Sequence, residues 1–162
     1  MSFRFPLLAS FLTLSACSAP SVVSTAPEKP APVPTAVPAP VQAPRPAGEW
    51  IDWPITPGDW VYRQDERGSI ALFGPTGADA IVTIRCDKQR QRLYLSRAGS
   101  GSDAAMVVRS SSMRKEYRAR NTGATPPYIA TEIMPNDPML DAIASTRGRI
   151  AIEVTGLAAI AI

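Results

Sequence analysis

The 162-residue chain contains no histidine. That removes the commonest general base and the commonest metal ligand. Cysteine is almost as scarce, with only Cys17 and Cys86. With no imidazole to activate it, neither fits a papain-type nucleophile. Long apolar runs are missing as well: residues 5–14 form a stretch of about ten, half of what a membrane-spanning helix needs. An excess of one charge is also lacking. The formal charge is +3, but from Glu49 onward fourteen basic residues face thirteen acidic ones. So small a surplus makes no basic field of the kind that holds nucleic acid, and no nucleic-acid partner is expected. "FGPTGAD" has two glycines without the Gly-Lys-Ser of a phosphate loop. No calcium-loop spacing occurs. No cofactor and no metal are therefore expected.

What is abundant is proline. There are seventeen, and nine of them lie between Pro20 and Pro46. In front of them the chain reads MSFRFPLLASFLTLSAC. Arg4 and the amino terminus make a positive n-region, and the apolar stretch has the length of a signal-peptide core. It ends in Leu14-Ser15-Ala16-Cys17, which resembles the lipobox of bacterial lipoproteins. The resemblance implies a signal peptide over residues 1–16, cleavage before Cys17, and lipid on the Cys17 sulfur and amino group. An ordinary secretory signal cut nearby, with Cys17 incidental, is the alternative; either excludes the cytoplasm. Two or more acyl chains, at about 0.8 kcal/mol per buried methylene, make such attachment lasting. Ser18 at the following position implies, by the sorting rule of enterobacterial lipoproteins, the periplasmic face of the outer membrane.

Residues 17–48 carry that lipidated cysteine and a Pro/Ala-rich linker. Pro, Ala, Val, Ser and Thr without aromatics cannot bury enough apolar surface to offset their ordering entropy. The Ala-Pro and Val-Pro steps favour polyproline II. At about 3.1 Å per residue the linker reaches on the order of 90 Å. It reads as a stalk.

Residues 49–162 read as the folded domain. "EWIDWPITPGDW" carries Trp50, Trp53 and Trp60, and Pro54 and Pro57 exclude a helix, so it is expected to be an entry loop packed on the domain. Short period-two segments follow: "DWVYRQD", "GSIALFG", "AIVTIRCD", "QRLYLSR", "AAMVVRSSS", "RKEYRAR", "PYIATEI", "RIAIEVTG" and "LAAIAI". Glu66-Arg67-Gly68 is placed as a hairpin loop. "AAMVVRSSS" and "RKEYRAR" are read as two strands or one long bent one. Val82, Ile84 and Cys86 share one face, as do Leu93 and Leu95. Ile150, Ile152 and Val154 are expected on the buried face of a later strand. The spacing predicts a mainly β fold, a small antiparallel sandwich or barrel. One short helix interrupts it at about 136–146, with Asp137 as N-cap, Pro138 at N1, Met139, Leu140 and Ile143 as its apolar stripe, and Gly148 as C′.

Candidate chemistry is sparse. Asp137 and Asp141 stand at i and i+4 on that helix, a spacing that permits a carboxylate pair to do acid–base work, although Asp137 is wanted as a cap. Ser110, Ser111 and Ser112 lack a base. Twelve of the fourteen cationic residues from Glu49 onward are arginines, and "KQRQR" and "RKEYRAR" are locally positive. Arginine pairs bidentately with carboxylate or phosphate, which admits an acidic polymer or a lipopolysaccharide head group; compositional preference explains the same bias. Cys86 is an unmatched thiol in an oxidising compartment, and an apolar strand ends the sequence. Two readings stay open: a disulfide to a cysteine on a missing C-terminal continuation, or a free cysteine serving as a small hydrophobe.

The blocks "GDWVYRQDERGSIALFG", "IRCDKQRQRLYLSRAG" and "NDPMLDAIASTRGRIAIEVTGLAAI", spanning roughly residues 58–162, resemble a family of alphaproteobacterial, sphingomonad-type lipoproteins of uncharacterised function. Thr146 stands where the family more usually has serine. Members look as if they continue into a short Trp- and Cys-containing tail, which bears on the truncation reading. The resemblance implies no reaction, so no catalytic residue is assigned. The expected function is non-enzymatic: a membrane-anchored cell-envelope lipoprotein whose domain is a binding or structural accessory for an unknown envelope protein or polymer. A periplasmic inhibitor or chaperone-like module is the second reading, and a hydrolase using carboxylates the third.

Overall fold

A computed structural model describes residues 45–101, 104–146 and 148–162. The expected signal peptide, Cys17 and the linker up to residue 44 lie outside the described residues. The elements are β1 (Asp59–Asp65), β2 (Gly68–Gly74), β3 (Val82–Asp87), β4 (Arg92–Ala98), β5 (Ala104–Arg109), β6 (Arg114–Asn121), β7 (Tyr128–Ile133), α1 (Pro138–Ala144), β8 (Ala151–Val154) and β9 (Ile160–Ala161). They make one nine-stranded sheet in the order β1-β2-β3-β4-β7-β6-β5-β8-β9. Each adjacent pair of strands in it is antiparallel. The expected mainly β class with one short helix is what the chain adopts; between sandwich and barrel, it takes a single sheet curled into a half-barrel.

Local chemistry explains the first hairpin. Asp65 pairs with Gly68 and leaves Glu66-Arg67 as the turn. The Asp65 carboxylate accepts the Arg67 N–H at 3.1 Å, an Asx turn that stands in for a backbone one. Gly68 has φ 140°, and a Cβ there would lie 2.3 Å from the Cys86 carbonyl oxygen, so glycine is required. The "AAMVVRSSS" and "RKEYRAR" segments form two strands. β6 is shared: its residues 114–119 pair with β5, and Arg120 and Asn121 pair with β7. This hand-over joins the two parts of the sheet.

Alternation sorts the side chains onto two faces. The inner face carries Phe73, Val82, Leu95, Met106, Val108, Ala119, Ile129, Ile133, Ile152 and Val154, all buried in one cluster. The α1 helix closes this core with Met139 and Ala142, and Leu140 and Ile143 pack beside them. Asp137 is the N-cap, its carboxylate accepting the Met139 N–H at 2.9 Å, and Pro138 opens the helix. The expected C-terminus is corrected. Ser145, not Gly148, is the residue that closes the helix, and Gly148 does not act as C′. The Ser145 N–H bonds back to Asp141 O while its own backbone stays right-handed, so no left-handed glycine is needed.

The entry segment also departs from expectation. Trp50–Asp52 is one turn of 3₁₀ helix, completed before Pro54 can interrupt it. Trp53 is buried and covers Ala151 and Ala161 on the outer face, with Trp50 beside it. Trp60 does not pack in this group; it belongs to β1 and is 46% exposed. Trp53 roofs Ala151, Arg109 and Arg45 cover Glu153, and the core takes Ile152 and Val154, so all four residues of β8 are buried, not just alternate ones.

Candidate functional site

The outer face of β2, β3, β4, β7 and β6, with the turns at its end, gathers a group of arginines. Register defines its rows. Arg63, Ile70, Arg85, Tyr94 and Glu132 lie opposite one another across β1, β2, β3, β4 and β7. The next row runs Leu72, Thr83, Ser96, Ala130 and Arg120 across β2, β3, β4, β7 and β6. β6 alternates so that Arg118 and Arg120 point outward while Tyr117 and Ala119 turn to the core side. The result is a groove of about 890 Å³ lined by Arg67, Arg85, Arg90, Arg118 and Arg120, with Thr83, Tyr94 and Ser96 between them and Glu132 as the one carboxylate lining it.

Ion pairs neutralise part of this charge. Arg67 donates to Asp87 at 2.9 Å and Arg85 reaches Asp65 at 2.8 Å, while Arg92 takes Glu132. The Arg85 bond holds the Asp65 carboxyl below its ordinary range. The Arg67 bond does the same for Asp87, helped by the Arg90 backbone N–H. No ion pair among the described residues engages the guanidinium of Arg90 or Arg120. The groove thus presents uncommitted cations beside hydroxyl groups able to donate.

The other sequence candidates are dispersed. Asp137 is engaged twice, by Met139 N–H and by Lys115 Nζ at 2.7 Å, and Asp141 stands exposed one helical turn away. Among the described residues no cluster of three or more His, Cys, Asp or Glu side chains is placed to hold a metal. Ser110 and Ser112 Oγ lie 3.5 Å apart, and Ser110 accepts the Ser112 and Met113 N–H groups in a local turn. Cys86 is a free, half-buried thiol opposite Ser69 and Leu93, on the same face as Val82 and Ile84 as the alternation requires.

"KQRQR" and "RKEYRAR" are locally positive segments that lie far apart in the sequence. The signal that joins them is parity. Arg118 and Arg120 occupy one parity in β6, and Arg85 shares a row parity with Tyr94 in β4. What parity cannot supply is that β6 crosses beside β7 and so next to β4. No known family model, curated protein or solved structure matches the chain.

Proposed function

We propose that this chain is a lipid-anchored envelope protein whose β domain binds, without catalysis, an acidic envelope polymer along the arginine-lined groove. The anchor is Cys17, attached to the periplasmic face of the outer membrane, and residues 18–48 are the stalk. The observation that supports binding is the convergence of Arg67, Arg85, Arg90, Arg118 and Arg120 on one groove, with Arg90 and Arg120 in no ion pair among the described residues. Planar guanidinium groups match carboxylate and phosphate oxygens in pairs, and Tyr94, Ser96 and Thr83 offer donors to the hydroxyls of a saccharide. A nearly balanced total charge with a local cationic groove favours short-range recognition over long-range steering.

The test is titration of the full-length protein in detergent with lipopolysaccharide, with polygalacturonate and with neutral dextran. An anionic polymer binds and dextran does not. Arg90→Glu together with Arg120→Glu weakens binding by at least about tenfold, the scale of two lost charge-assisted hydrogen bonds, without lowering the melting temperature. Equal binding of dextran, or unchanged affinity in the double variant, rejects the reading. For the anchor, palmitate labels the wild type, and Cys17→Ser loses both label and processing.

A further inference from the structure

The two edges of the sheet are treated differently. The β9 edge is covered by the chain's own entry segment: Ile55 bridges Ala161 in parallel, and the Thr56 N–H donates to Ala161 O at 2.8 Å. The opposite edge is β1, and among the described residues nothing but β2 pairs with it. Natural edge strands are usually shortened, bulged, broken by proline or studded with lysine. β1 has seven residues, none of them proline or lysine, in unbroken register with β2. It also exposes Trp60 (46%), Val61 (47%) and Tyr62 (63%).

We propose that β1 pairs antiparallel with β1 of a second copy of this chain, about a two-fold axis through Val61. Symmetry limits the choice. Two identical antiparallel edge strands keep matching faces only if the axis, perpendicular to the sheet, passes through a residue. An axis through Tyr62 sets Asp59 against Asp65 twice, like charge on like charge. Through Arg63 it sets that arginine against itself. Through Trp60 it leaves Asp59 opposite Val61 and Arg63 opposite Pro57, so neither charge meets a partner. Through Val61, Asp59 faces Arg63 of the other copy and Arg63 faces its Asp59. Trp60 and Tyr62 face each other on the inner side, and Val61 faces itself. Neither Asp59 nor Arg63 has an ion-pair partner within the described residues. Five consecutive residues are thus complementary to themselves in one register, and the pairing puts both arginine grooves on the same side of a continuous sheet.

Disulfide trapping in the full-length protein in detergent tests the register. In a Cys86→Ser background, Val61→Cys places two thiols directly opposite, at Cβ separations of about 4.5–5.5 Å. Mild oxidation should give a covalent dimer above the level of the parent, which reports any contribution of Cys17. Tyr62→Cys lies opposite Trp60 and should trap far less. Light scattering supplies the second arm: Asp59→Arg should yield monomer, and Asp59→Arg with Arg63→Asp should restore the dimer. Monomer at every concentration, trapping equal for positions 61 and 62, failure of the double exchange to restore the dimer, or a different protein held on β1 in place of a second copy would each overturn the proposal.

Discussion

Lys115 Nζ in β6 lies 2.7 Å from the Asp137 carboxylate that caps α1. One side chain therefore starts the helix and ties it to the sheet. The ammonium also sits 5.3 Å from the centre of the Tyr117 ring. Burial, then the Asp137 charge, pushes the Tyr117 hydroxyl well above its ordinary range, and that hydroxyl has no hydrogen-bond partner among the described residues. Asp137→Ala removes the cap and leaves Lys115 unpaired. The expected loss is about 1–2 kcal/mol of unfolding free energy in urea titration. Asp137→Asn keeps a good cap and should lose less. Equal losses would mean that the charge, not the cap, carries the contribution.

The same carboxylate governs the acid limb. Burial alone would raise its pKa, but the bonds from Lys115 and from the Met139 N–H outweigh that and hold it below the usual carboxylate range. Asp65 and Asp87 are lowered as well, each chiefly by its arginine. A carboxylate depressed in the folded state contributes stability that is complete above its unfolded pKa of about 3.9 and is lost as pH falls through the lower folded value. The melting temperature should therefore hold from pH 7 to about 5 and fall below about pH 4. In Asp137→Asn the fall should be shallower.

Sequence pattern reached the strands because most of them are solvated or roofed on one side only, so apolar and polar residues alternate. β1 and β2 match their segments residue for residue. The pattern failed where tertiary neighbours override it. β8 carries Glu153 at an ordinary alternate position, yet it is buried, because Arg109 in β5 and Arg45 meet it there. Gly148 looked like a helix stop, but a right-handed Ser145 suffices. The groove needed the β7–β6 adjacency, a property of topology that no local window holds.

Glu153 marks the most consequential of those hidden contacts. Its Oε1 accepts from Arg109 Nε at 2.7 Å, and Arg45 Nε stands 2.9 Å from Oε2 without hydrogen-bond alignment. Arg109 is three-quarters buried on its side chain, whereas Arg45 is 61% exposed. Glu153→Ala therefore strands Arg109 and should cost about 3 kcal/mol. Arg45→Ala breaks a solvated pair and should cost under about 1 kcal/mol, shrinking further in high salt. Guanidinium-free chemical denaturation of both variants at two salt concentrations distinguishes them. Similar costs for the two would show that the pairs act as one network.

Arg97 supplies the converse case. It lies on the inner face of β4 between Val82 and Ile129, both fully buried. Burial lowers its pKa, and no ion pair among the described residues compensates it. Its Nη1 donates to the Ala98 carbonyl at 2.7 Å, but its Nε is buried without a partner among the described residues. An uncompensated cation between two apolar neighbours costs more desolvation than one carbonyl returns. Arg97→Met keeps the unbranched apolar stem of the side chain and removes the charge. It should raise unfolding free energy by about 1 kcal/mol, read as a higher urea midpoint with an unchanged slope. A lower midpoint would show that the Ala98 bond, or packing of the guanidinium plane, outweighs the desolvation. Arg97→Lys separates those two: it retains a donor for the Ala98 carbonyl without the plane, so a midpoint near the wild type points to the bond and a clear fall points to the plane.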